Sequence, residues 1–81
     1  MMTDRSILDT PEHVRFDDLV ALCTRYFGSP RTAGSHHIFK TPWSGDPRIN
    51  LQRDGGFAKP YQVRQVRKAI DRWEAEHASN T

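Results

Sequence analysis

The chain has 81 residues, one cysteine, 36% hydrophobic residues and a formal net charge of +2. That is one small domain, near the size at which a single core only just suffices, and a lone cysteine excludes an internal disulfide framework or a cysteine-based zinc site. No apolar run approaches the roughly 20 residues of a membrane span, and the polar, acidic residues 1–12 lack a signal-peptide pattern, so a cytoplasmic protein is expected.

Residues 1–14 show no sustained periodicity and are expected to form an irregular N-terminal arm ahead of a domain over 15–78. From Phe16 on, Phe16, Leu19, Val20, Cys23, Tyr26 and Phe27 recur at helical spacing, which predicts a helix over 17–27. Asp17 is a suitable N-cap and Phe16 could staple onto Ala21. Gly28 and Pro30 supply the stop, the first by reaching left-handed backbone and the second by blocking continuation. A short extended piece, 31–33, then reaches a Gly34-Ser35 turn. A second strand over 36–41 ends at Pro42, and Trp43-Ser44-Gly45-Asp46-Pro47 has loop chemistry. Ile49-Asn50-Leu51-Gln52 alternates apolar and polar residues, as a half-buried strand does. Asp54-Gly55-Gly56 makes the next turn, and Lys59-Pro60-Tyr61 opens the last helix, where a proline loses no hydrogen bond. Val63, Val66, Ala69, Ile70 and Trp73 form its apolar stripe, with Arg64, Arg67, Lys68 and Arg72 mostly off it. The helix is expected to fray before Ser79-Asn80-Thr81. Two one-sided helices and three strands predict an α+β, two-layer sandwich of order α-β-β-β-α, with both helices on one face of the sheet and the other face open.

The chemistry concentrates in Gly34-Ser35-His36-His37-Ile38-Phe39-Lys40. Histidine is the side chain whose ordinary pKa, about 6.5, lies nearest neutrality, so it can take and give a proton in the cell. Successive strand residues face opposite ways, so His36 goes with Ile38 and Lys40, and His37 with Ser35 and Phe39. Ile38 and Phe39 are both apolar, so alternation leaves open which face is buried and which histidine is structural. His13 and His77 stand at the chain ends with no metal-ligand spacing to match. Gly34 serves as a turn glycine or lets a phosphate approach the backbone. Cys23 falls on an apolar helix face, as a core thiol does. Trp43 either caps the sheet or stacks on a base, and Tyr61 has the same two readings.

Charge is unevenly placed: −3 over residues 1–24, +7 over 25–68 and −2 over 69–81. The basic block holds Arg31, Lys40, Lys59, Arg64 and Lys68 and coincides with the histidine strand. That suits a polyanion such as RNA. Basic residues also keep a small domain soluble, and charge alone leaves both readings open.

Together the first helix, the Gly-Ser-His-His-Ile-Phe-Lys strand, the Ile49-Asn50-Leu51 strand and the Lys59-Pro60-Tyr61-Gln62 start of the last helix resemble the HicA family of toxin ribonucleases. The resemblance spans about residues 16–73, in the family's order. It implies a double-stranded-RNA-binding-domain-like fold and a toxin of a type II toxin–antitoxin pair. Such a toxin is an mRNA interferase, cutting messenger RNA without metal or cofactor and neutralised by a HicB-family antitoxin; the free toxin is expected to be a monomer. The family's catalytic histidine, after Gly-Ser, falls on His36, and its glycine on Gly34. Some relatives carry the histidine one place later, which makes His37 the alternative. Ser35 and the basic residues named above would bind the RNA. Two rival readings stand beside this one: a non-catalytic RNA-binding module of the same fold, and a small domain whose basic face meets an acidic protein.

Overall fold

A computed structural model describes residues 4–45 and 47–78. Asp46 of the expected loop, the first three residues of the expected arm and the expected frayed end Ser79-Asn80-Thr81 lie outside the described residues. The elements run α1 (Phe16–Phe27), β1 (Arg31–Ala33), β2 (His36–Phe39), β3 (Ile49–Gln52) and α2 (Pro60–Ala78), preceded by two short 3-10 turns, Arg5–Asp9 and Pro11–His13. The three strands form one antiparallel sheet in the order β1-β2-β3. The α-β-β-β-α order and antiparallel meander read from the sequence are therefore present.

α1 buries Phe16, Leu19, Leu22 and Cys23. It begins one residue before the expected start, and its N-cap residue is Arg15, with no side-chain capping bond. The reason lies outside the helix. Arg15 is held extended by an antiparallel bridge to Phe57, and the Phe16 amide donates to the Gly56 carbonyl at 2.9 Å. Asp17, expected as the cap, sits in the first turn and pairs with Arg53. Phe16 turns into the core while Ala21 stays exposed. At the other end Gly28 adopts φ 88° and donates its N–H to the Thr24 carbonyl at 3.0 Å, as expected of a helix stop.

β1 and β2 are joined by the two-residue Gly34-Ser35 turn, with Ala33 opposite His36. Gly34 has φ 60°, yet a Cβ built there would meet nothing within 4 Å. Glycine is thus required by the backbone conformation of the turn and not by crowding. The Ser35 carbonyl accepts from the Arg53 amide at 2.9 Å, which ties the turn to the end of β3. β2 stops at Phe39 and not at Thr41. Ile49 is the last residue opposite it, and the Thr41 hydroxyl closes the following loop on the Pro47 carbonyl.

The register settles the question left by Ile38 and Phe39. His37 lies opposite Leu51 and Phe39 opposite Ile49, and Phe39, Ile49 and Leu51 are all buried. They share one cluster with Phe16, Leu19 and Leu22 of α1 and with Val63, Val66 and Ile70 of α2. That face of the sheet is packed. The opposite face carries His36, Ile38, Asn50 and Gln52, none of them buried.

The N-terminal segment differs from the irregular arm expected of it. Asp4 accepts from the Ser6 amide at 2.8 Å and opens the first 3-10 turn, Leu8 and Val14 are buried, and both turns pack on α2. Arg5 bridges Asp71 at 2.7 Å and also bonds Glu74, which accepts in turn from the Tyr26 hydroxyl at 2.9 Å. Turns of this kind carry no 3.6-residue period, so two buried apolar residues leave no mark in a periodicity scan.

Candidate functional site

His36 is half-buried on the open face, immediately after the Gly34-Ser35 turn. Its Nδ1 lies 3.0 Å from the Asn50 Oδ1. Asn50 is directly opposite Ile38 and so diagonal to His36, within the reach of a carboxamide across an antiparallel pair. A carboxamide oxygen only accepts, so in this contact Nδ1 is the donor, and in the neutral ring Nε2 then carries the lone pair. A second polar side chain, Gln52, stands directly opposite His36.

His37 points the other way. Its ring meets Phe16 edge-on, with centroids 5.3 Å apart, and its Nδ1 is buried without a hydrogen-bond partner among the described residues. The two histidines are therefore separated by the sheet, as strand alternation requires.

The basic residues divide into three groups. Arg31 and Lys40 come together with Phe27, Ser29, Ile38 and Arg48 around a cleft of about 410 Å³. Lys68 lies in a second cleft, of about 200 Å³, between the β2–β3 loop and α2; Arg48 lines both. Lys59 is drawn off to Asp54 at 3.3 Å, and Arg64 is exposed on α2. The five basic residues expected to bind RNA thus do not form one patch. Arg31 and Lys40 share a cleft, Lys68 adjoins it through Arg48, and no contact links Lys59 or Arg64 to that cleft among the described residues.

Trp43 acts as a cap. Its indole N–H donates to Glu76 at 2.7 Å, the Arg72 guanidinium lies over its ring at 4.2 Å, and Phe27 packs edge-on at 6.0 Å. The Trp43 N–H, with Arg72 beside it, holds the Glu76 carboxyl below the usual carboxylate range. Tyr61, by contrast, is exposed. Cys23 is fully buried, and burial pushes its thiol up to about 12, which suits a core thiol and not a nucleophile. No group of three His, Cys, Asp or Glu side chains able to hold a metal ion occurs among the described residues. Nor is any helix among them long and apolar enough to cross a membrane.

Asn50, Arg48 and Phe27 were not singled out from the sequence as site residues. The alternation of Ile49-Asn50-Leu51-Gln52 already puts Asn50 on a polar face, but its meeting with His36 depends on the strand register. That is the register of β2 on β3, strands joined by the loop over 40–48 and not by a tight turn, so local turn chemistry leaves it open. Phe27 reads as core by periodicity, and only the turn of the chain at Gly28 brings it against β1 and β2.

The chain matches no family model, no curated protein and no solved structure.

Proposed function

We propose that this protein is a metal-independent endoribonuclease toxin of the HicA type, with a double-stranded-RNA-binding-domain-like fold, that cuts messenger RNA in the cytoplasm and is neutralised by a HicB-type antitoxin. The observation that carries the reading is His36 on the open sheet face, its Nδ1 engaged by Asn50 and its Nε2 left for proton transfer. RNA brings its own nucleophile. A base that removes the 2′-hydroxyl proton lets that oxygen attack the adjacent phosphate; the P–O5′ bond breaks and the leaving 5′-oxygen takes a proton from water, giving a cyclic phosphate and a 5′-hydroxyl end. A positioned histidine contributes about 10² to 10⁴ in rate as such a base. Asn50 acts as a positioning residue by fixing the tautomer and the ring plane. Arg31 and Lys40 on the same face would draw in the phosphate backbone without touching the reacting phosphate. An antitoxin would neutralise the toxin most simply by covering His36 with an acidic surface, which also speeds association.

One observation favours the module reading. Lys40 stands four residues from His36 and one beyond the end of β2, about 13 Å away for extended chain, so its charge is not beside the imidazole. A module needs the cations and not the histidine. Induced expression of wild type, His36→Ala and Asn50→Ala, with growth and messenger RNA integrity followed together, separates the two. The toxin reading requires arrest and cleavage by wild type and loss of both in His36→Ala. Asn50→Ala, with the ring freed, is expected to fall by up to about 10²-fold in cleavage while retaining RNA affinity. Undiminished RNA binding with no cleavage by wild type would establish the module.

A further inference from the structure

The cleft between Phe27, Ser29, Arg31, Ile38, Lys40 and Arg48 has no role in proton transfer at His36, yet its composition is specific. Arg31 lies directly opposite Ile38 on the neighbouring strand, and Lys40 lies two residues beyond Ile38. Neither Arg31 nor Lys40 has an ion-pair partner among the described residues, whereas Arg5, Arg53, Lys59 and Arg72 all do. The same cleft has an apolar wall, the half-buried Phe27 ring and Ile38. The Phe27 ring makes an edge-on contact with Trp43, which α2 in turn holds through Glu76 and Arg72.

We infer that this cleft is a nucleotide subsite, taking a phosphate on Arg31 and Lys40 and the adjoining base against Phe27 and Ile38. It holds the same single RNA strand whose backbone meets His36, and so rests on the ribonuclease reading. A simple anion would satisfy the cations and leave the apolar wall uncovered. A run of acidic residues has the same shortcoming. A nucleotide carries a charged phosphate and a flat ring on one short unit, and stacking on an aromatic side chain tolerates any base. The spacing also fits one strand. Ile38, opposite Arg31, is two residues from His36 along β2, and Lys40 is four, one beyond the end of the strand, so a backbone lying along β2 passes about 7 to 13 Å from the imidazole before entering the cleft. The subsite would therefore set which side of the scissile bond is gripped, and would make cleavage depend on RNA longer than the bond being cut.

The test is a titration of the full chain with a mixed-sequence 2′-O-methyl oligonucleotide, whose blocked 2′-oxygen cannot attack, followed by fluorescence anisotropy at several salt concentrations. The double variant Arg31→Gln/Lys40→Gln is expected to bind about tenfold or more weakly. Its salt slope is expected to fall by about 1.4, at about 0.7 for each single-strand phosphate that the variant no longer neutralises. Each single variant should show half that change. Arg67→Gln removes the same charge from an exposed site on α2 and should alter neither quantity. An abasic strand of equal length is expected to bind wild type about tenfold more weakly, because the stacked base is missing. Unchanged affinity and slope in the double variant, or no binding by wild type, overturns the inference. So does equal affinity for the abasic strand. Tighter binding of a polyglutamate of equal charge, with the same dependence on Arg31 and Lys40, overturns it in favour of an acidic protein partner. The strand is not cut, so catalysis is scored separately. If strand binding follows Arg31 and Lys40 while wild type cleaves no RNA, only the catalytic reading fails.

Discussion

Arg5 and Arg31 occupy opposite settings in the same small fold. Arg5 joins the N-terminal turns to α2 through Asp71 and Glu74, and the Tyr26 hydroxyl completes the group on Glu74. The Asp71 carboxylate beside it raises the Arg5 guanidinium above its ordinary value, and burial together with Glu74 does the same for Tyr26. Every charge there is answered within the chain. Arg31, on the open sheet face, has no such partner among the described residues, and neither has Lys40. The neighbouring histidines divide by burial instead: His37 packs edge-on against Phe16 with its Nδ1 unpartnered among the described residues, while His36 meets Asn50 at the surface. Charges answered internally hold the fold together. Arg64, Arg67 and Lys68 on α2 lack ion-pair partners among the described residues as well, so it is the cleft that Arg31 and Lys40 share, and not the missing partners alone, that favours the open face for the proposed site.

The largest expected effect breaks the histidine pair apart. His36→Ala should lower RNA cleavage by about 10² to 10⁴-fold, the usual contribution of a general base, with the melting temperature unchanged. His37→Ala should do the reverse, costing about 1–3 kcal/mol of stability by opening space against Phe16, with cleavage per folded molecule preserved. Denaturant melts and single-turnover cleavage on both variants check this. Equal cleavage by wild type and His36→Ala, with loss in His37→Ala, would transfer the proton-transfer role to His37.

Next in size is the N-terminal segment. Leu8 is only 1% exposed and belongs to the main hydrophobic cluster. Leu8→Ala should therefore destabilise the protein by about 2–5 kcal/mol, as large-to-small core changes do. A urea midpoint indistinguishable from wild type would show that the segment is a detachable arm after all. Arg5→Ala should cost much less, about 1 kcal/mol at most, because its pairs are partly exposed and screened. Its loss should shrink further in high salt, a dependence that Leu8→Ala should lack.

Local signals made much of this fold legible in the sequence. β1 and β3 fell where they were expected, 31–33 and 49–52, because β-alternation and Gly or Pro punctuation act over a few residues. α1 was legible except at its start. Asp17 is a good cap by local chemistry, but a long-range bridge from Arg15 to Phe57 moved the start by one residue. His36 was legible as one of two candidates, and only the pairing of β2 with β3 decided which face each took. The buried Leu8 and the Asn50 contact were illegible for the same reason. Each depends on residues tens of positions apart or on strand register, and neither leaves a periodic trace.

The smallest expected effect concerns the Trp43 cap, which touches Phe27 of the proposed subsite. Trp43 donates to Glu76, and Arg72 lies over the Trp43 ring while its Nε pairs with Glu76 at 3.2 Å. The hydrogen bond from Trp43 and then Arg72 favour the charged carboxylate, so the folded Glu76 pKa lies below its unfolded value. The sign follows from linkage. A carboxyl depressed by folding adds stability that is fully present above the unfolded pKa, about 4.3 for glutamate, and is lost as pH falls through the folded value. Glu76→Gln keeps an acceptor for the indole N–H but removes the charge. The difference in melting temperature between wild type and Glu76→Gln should therefore be constant from neutrality down to about pH 5 and should vanish on further acidification. Because Glu76 is exposed, the difference should be small and should shrink with added salt. A difference that instead grew below that pH would mean that the protonated acid is the form the cap holds, and the Trp43–Arg72–Glu76 arrangement would have to be redrawn.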